Sequence, residues 1–152
     1  MLPRLLIFLL LNFGALGIGG YFTGAGVRSD WYADLAKAPW TPPGWVFGFA
    51  WTSIMICFSI YMAFLWKTGI DKKRLASLYS LQWLLNVLWN PLFFYFHRTG
   101  LSMFDISALT LLVGYLLFHY RKDLLWKSAL LLPYFIWLLI ASSLNGFIVL
   151  GN

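Results

Sequence analysis

Apolar residues run in five long stretches separated by short polar ones, at residues 5–22, 44–66, 75–96, 101–120 and 128–150. Each has about the 17–25 residues that carry an α-helix across ~30 Å of hydrocarbon. Strict apolar/polar alternation over segments of about ten residues, the mark of a membrane barrel, is absent. A helix also satisfies its own backbone hydrogen bonds, which lipid cannot do for it. The pattern predicts an all-α membrane protein, residues 1–152 forming one domain built as a bundle of five transmembrane helices. Residues 23–43 form the only long connection and hold several aromatics with Pro39, Pro42 and Pro43, so they are expected to act as a lid. The Pro-Pro pair just before Gly44 suits a helix start.

Composition agrees. Of the 152 residues, 61% are hydrophobic and 11% charged, against about 45–50% and about 25% in soluble domains. That excludes a soluble enzyme or a free nucleic-acid-binding module, so lipid is an expected partner and nucleic acid is not. The eleven Lys and Arg outnumber the five acids, all Asp, for a formal charge of +6. Arg4, Lys67, Lys72, Lys73, Arg74, Arg121, Lys122 and Lys127 fall on one side of the predicted spans, and Arg28, Lys37 and Arg98 on the other. The positive-inside rule then predicts an integral protein of a bacterial inner membrane, N-terminus cytoplasmic and C-terminus outside. Residues 1–11 are read as the start of the first span, not as a cleaved signal, because no small-x-small site follows them.

Conventional catalytic groups are missing from the pattern. His97 and His119 flank the fourth span; from Leu101 to His119 a helix already covers about 27 Å, too far for a shared metal. No metal or cofactor is expected. Cys57 has no intramolecular partner and reads as a small buried hydrophobe. Asp105, the one charge inside a span, reads as an interfacial carboxylate in the first turn of its helix, near the positive helix terminus.

Polar and aromatic residues within the spans carry more. Gln82, Asn86 and Asn90 recur every four residues on one helical face, with Asn12 and Asn145 on other spans. They are either interhelical glue or part of a cavity lining. Trp40, Trp45, Trp66 and Trp126 fall near span ends, as in an aromatic belt. Trp51, Trp89 and Trp137 lie deeper, where a belt does not explain them. Pro133, Trp137 and Ala141 share one face, predicting a kink, an indole and a gap; Gly48, Trp51 and Met55 do likewise. The deep indoles either line a pocket for a flat apolar ligand or pack the core. Gly44-x-x-x-Gly48 and Ala15-x-x-x-Gly19 allow close helix approach within or between protomers.

Trp31-Tyr-Ala-x-Leu-x-Lys and Trp40-Thr-Pro-Pro-Gly-Trp-Val-x-Gly-x-x-Trp51 resemble the first-loop and second-helix signature of the translocator protein family, the tryptophan-rich sensory proteins or peripheral-type benzodiazepine receptors. Gln82-x-x-x-Asn86-x-x-Trp89-x-Pro91-x-Phe93-Phe94 resembles its third helix, Asp105 matches an Asp of its fourth, and Pro133-Tyr134-x-x-Trp137-x-x-x-Ala141-x-x-Leu144-Asn145 resembles its fifth. The resemblance implies a five-helix bundle, commonly a homodimer, acting as a receptor or sensor. Its ligands are porphyrins such as protoporphyrin IX and benzodiazepine-type drugs. It further implies that Tyr32, Trp51, Asn86, Trp137 and Ala141 line the pocket, with Trp31 and Trp40 in the lid. For some bacterial members it implies light-driven porphyrin degradation, which would make Trp51 and Trp137 the catalytic pair. Transport of tetrapyrroles or other lipophiles is the alternative function. Here Lys37 is followed by Ala38 where the family usually has proline.

Overall fold

The computed structural model describes residues 1–152, all of its regular structure helical. Helix α1 spans Leu2–Gly26, longer at both ends than the first apolar run, with proline in its first turn where the missing N–H costs nothing. The short helix α2 (Asp30–Asp34) interrupts the first connection, so that segment is partly ordered helix and not a plain loop. Ser29 caps it by accepting from the Tyr32 amide at 3.2 Å. Helix α3 (Gly44–Leu65) starts directly after Pro43, as the Pro-Pro pair predicts.

Helix α4 covers Lys72–Asn90 and then changes winding. Pro91 has no N–H to donate, and the chain continues as a π-helical turn, Pro91–Tyr95, closed by Phe96 N donating to Pro91 O at 2.9 Å. Helix α5 is Thr99–His119 and α6 is the single turn Arg121–Leu124. A 3₁₀ stretch, Leu125–Leu131, leads into α7 (Leu132–Gly151). Pro133 therefore stands in the first turn of α7 and begins the helix; the kink expected from it does not occur.

The five long helices close a ring in the order α1, α3, α7, α5, α4. Its packed centre is Phe58, Tyr61 and Tyr134, all 1% exposed or less. Phe58 meets Tyr134 edge-on at 5.4 Å and stacks on Tyr79 at 5.9 Å. Buried amides bind helix to helix here. Asn12 Nδ2 donates to Ser59 Oγ at 2.8 Å, Tyr79 OH donates to Asn12 Oδ1 at 2.7 Å, and Gln82 Nε2 donates to the Tyr134 hydroxyl at 2.6 Å. Such bonds contribute about 0.6–2 kcal/mol each between membrane helices.

Two close approaches fix α1 against α4 and the turn that follows it. A Cβ on Gly19 would lie 2.6 Å from Asn90 Nδ2, and one on Gly26 would overlap the Phe94 ring. Ala15-x-x-x-Gly19 thus works inside the protomer, whereas Gly44 and Gly48 face open space.

Four segments are long and apolar enough to cross a membrane: α1, α3, α5 and the stretch Arg121–Gly151. Helix α4, shorter at 19 residues, carries Lys72, Lys73 and Arg74 in its first turn and the Gln82–Asn86–Asn90 stripe. Asp105 departs from expectation. Because α5 begins at Thr99, Asp105 falls in the second turn and points inward, 5% exposed, with Oδ2 lacking any hydrogen-bond partner. Cys57 is only half-buried.

Candidate functional site

The first connection is pinned across one end of the bundle by local chemistry. Trp31 stacks on His97 at 3.9 Å and meets Phe93 edge-on at 5.6 Å. Tyr32 leans on Phe94 at 5.7 Å. The Ala36 amide donates to Asn152 Oδ1 at 2.9 Å, while Asn152 Nδ2 donates to Ala36 O at 3.1 Å. Trp40 Nε1 donates to Ser143 Oγ at 3.1 Å, its ring against Phe147. The segment is thus held by the π-helical turn on one side and by α7 on the other.

Beneath it lies a cavity of about 60 Å³ whose lining includes Tyr32, Lys37, Phe47, Trp89, Ala141 and Asn145. Helical spacing builds the α7 wall: Ala141, Leu144, Asn145 and Ile148 share one face. Asn145 fixes the opposite wall, its Oδ1 accepting from Trp89 Nε1 at 3.0 Å and Ser102 Oγ at 2.9 Å, its Nδ2 donating to Thr99 O at 3.0 Å. Trp89 in turn stacks on Phe93 at 5.0 Å. The volume is far below the ~300–1,000 Å³ of sites for drug-sized ligands. A flat macrocycle enters only if the covering segment lifts or the aromatic walls repack.

Of the residues expected to bind ligand, Tyr32 and Ala141 line this cavity, and Trp31 and Trp40 hold the segment above it. Trp137 lies deeper and reaches the cavity through Phe47, whose ring it meets at 5.3 Å. Its indole N–H is buried without an acceptor. Trp51 is half-buried against Tyr134, 6.0 Å between rings, and neither stacks on Trp137 nor lines the cavity. Asn86 is buried but is not among the residues lining the cavity, and its side chain makes no hydrogen bond within the chain.

The structure therefore divides the amides that spacing left undecided. Asn12 and Gln82 join helices away from the cavity, Asn145 does so while lining it, and Asn90 accepts from Thr23 Oγ1 at 2.9 Å. Asn86 alone makes no side-chain hydrogen bond at all, and Gln82 leaves its buried Oε1 without a partner.

Lys37 and Phe47 are lining residues that the sequence reading did not name as such, and Phe94 appeared there only within the third-helix motif. Lys37 counted there as a loop charge and as the last residue of the first-loop motif. Its Nζ sits 4.5 Å from the Tyr32 ring centroid and donates to Ala33 O and Leu35 O at 3.4 and 3.3 Å. Burial pushes the Tyr32 phenol above its ordinary pKa, so it stays a neutral hydroxyl at physiological pH.

Long apolar helices closing over an aromatic cavity define an integral membrane protein of the helical-bundle class. Residues 6–150 match the model of the TspO/MBR family. The chain is 37% identical to the tryptophan-rich protein TspO of Archaeoglobus fulgidus, covering 91% of this chain and 90% of that one. It is 33% identical to a tryptophan-rich sensory protein of Cereibacter sphaeroides, covering 81% and 78%, and 32% identical to a translocator protein of Ovis aries, covering 82% and 75%. The chain belongs to the TspO/MBR family.

Proposed function

We propose that this protein is a membrane receptor or sensor that takes a flat, apolar, anionic ligand, a porphyrin such as protoporphyrin IX, beneath its first connecting segment. In this reading all five long helices cross the membrane, α4 included, because its polar stripe is turned into the bundle. The segment 27–43 works as a lid, opening at the Trp31–His97 stack and the Trp40–Ser143 bond. Trp31, Tyr32, Trp40, Trp51, Asn86, Trp137 and Ala141 form or flank the site.

The observation that carries the reading is the buried Trp137 N–H left without an acceptor, one aromatic contact from the cavity. An unpaired buried donor costs about 1–3 kcal/mol, and a ligand acceptor brought to it recovers that cost. The free Asn86 amide gives a second polar anchor, and Lys37 at the cavity offers a cation to ligand carboxylates. Benzodiazepine-type drugs fit the same aromatic walls without using Lys37.

The eight basic residues at the end opposite the lid support an N-terminus in the cytoplasm of a bacterial inner membrane. A homodimer belongs to the same reading, with the open faces of Gly44 and Gly48 available for a second copy.

The test is titration of the purified protein in detergent with protoporphyrin IX, following tryptophan fluorescence and porphyrin absorbance in darkness and then under illumination. Saturable quenching is expected. Its absence sinks the ligand assignment. Porphyrin loss in light beyond a detergent-only control would assign Trp51 and Trp137 a catalytic part; binding without loss leaves a sensor. Flux of porphyrin across proteoliposomes in the dark would instead make the protein a transporter.

A further inference from the structure

We propose that the end of the bundle opposite the lid carries a binding site for an anionic phospholipid, in the groove between α1 and α4. The groove has a volume of about 250 Å³ and opens to the membrane. Ile7, Phe8 and Leu11 wall it from α1 and Ala76 from α4, with Trp66 beside them. Its shape has a local cause: Phe8 is wedged edge-on between Trp66 at 5.8 Å and Tyr79 at 5.0 Å. That holds the helices apart, and the small Ala76 side chain leaves the gap unfilled.

Arg4 lines the same groove. Its guanidinium is exposed and makes no hydrogen bond within the chain, and no carboxylate pairs with it. Asp71, the acid of the adjoining connection, is engaged instead in capping α4 through the Lys73 amide at 3.1 Å. Lys72 leans over the Trp66 ring at 6.0 Å, adding a second cation beside the groove. No carboxylate offsets the charge at the mouth, although Lys72 Nζ also donates to Thr68 O at 2.6 Å, and the walls are mostly apolar.

A single molecule with a phosphate head and a hydrocarbon tail satisfies both halves. The planar guanidinium takes a phosphate in bidentate fashion. From Arg4 to Leu11 the helix rises about 10 Å, roughly two-thirds of the hydrocarbon depth of one leaflet. An acyl chain hanging from a phosphate on Arg4 therefore lies along Ile7, Phe8 and Leu11. The extra cation favours a head of net negative charge over a zwitterionic one. This site uses none of the residues beneath the lid and stands apart from the porphyrin reading.

The test is native mass spectrometry of the delipidated full chain offered phosphatidylglycerol or phosphatidylcholine of the same acyl length. Wild type is expected to retain one phosphatidylglycerol at least fivefold in preference. Arg4→Gln should bring the two lipids to parity, Ala76→Phe should remove both, and Lys122→Gln, at the same end but outside the groove, should change nothing. Should Ala76→Phe fail to fold, phosphatidylglycerol with brominated chains reports instead, by a saturable tryptophan quenching that exceeds that of brominated phosphatidylcholine in wild type and falls to the same level in Arg4→Gln. Parity in wild type, preference that survives Arg4→Gln, or an equal loss in Lys122→Gln would each overturn the site.

Discussion

The packed centre of the bundle and the space under the first connection use the same residue types to opposite ends. In the centre, the rings of Tyr61, Tyr79 and Tyr134 pack against Phe58, and the hydroxyls and amides find partners between helices except at Gln82 Oε1. Under the connection, Trp89, Phe93 and Phe94 leave a small cavity, Asn86 has no partner, and the Trp137 N–H is unpaired. Aromatic and amide content therefore does not mark a site in this protein. Unfilled volume together with unpaired polar groups does.

The largest effect that sharpens this contrast is expected in the centre. Phe58→Ala removes a ring with no exposed surface and should cost about 3–5 kcal/mol, the range for large-to-small core changes. In lipid the loss comes mainly from contacts and cavity, because transfer into hydrocarbon contributes little. Denaturant titration followed by circular dichroism reads it. A loss below 1 kcal/mol would mean that the centre is no better packed than the cavity end.

Next comes Ala141→Phe, which fills the cavity from the α7 wall. Protoporphyrin affinity should drop at least tenfold, about 1.4 kcal/mol, with helix content and denaturation midpoint close to wild type. Unchanged affinity would move the ligand site elsewhere. A similar magnitude, read as stability, attaches to Gly26→Ala: the added methyl meets the Phe94 ring, and overpacking of this kind costs about 1–3 kcal/mol.

Trp89→Phe and Trp137→Phe form a matched pair of smaller effects. Trp89 donates to Asn145, so its replacement leaves a buried acceptor short of one bond and should cost about 1 kcal/mol. Trp137 donates to nothing in the chain, so the same change there should be neutral or slightly stabilising while weakening porphyrin binding. Equal destabilisation of both would remove the distinction on which the site rests.

The fold was legible to the extent that one-dimensional pattern determines it. Uncharged runs marked the long helices, and Pro-Pro marked the start of α3. The ends were harder, because they depend on hydrogen bonding and not on hydropathy: α1 extends past Phe22 to Gly26, and the α4 span splits into an α-helix and a π-helical turn. Pro133 read as a kink because the 3₁₀ stretch before α7 has no signature in an apolar run. Asp105 was misread for a similar reason, since moving the helix start to Thr99 carries it from the first turn to a buried second one. Spacing found the deep tryptophans and the amide stripe but could not tell paired amides from Asn86, a property of neighbours on other helices. Phe47 escaped notice, and Phe94 entered only as part of the third-helix motif, because nothing else separates them in sequence from other aromatic residues of an apolar chain.

Lys37 offers the finest test of the contrast, because it places a cation at the cavity end. It belongs to the covering segment, and its ammonium lies over Tyr32 while bonding two backbone carbonyls at long range. These contacts are weak enough for it to turn to a ligand carboxylate. At the exposed rim such an ion pair is worth about 0.2–1 kcal/mol, so Lys37→Gln should weaken protoporphyrin IX binding about two- to fivefold. The dimethyl ester, which has no carboxylates, should bind both forms equally, and the difference between the acids should shrink in high salt. Equal weakening of acid and ester would show that Lys37 serves only to shape the lid. In that case the ligand would be held by aromatic contact and the Trp137 N–H, and its charge would be free to vary.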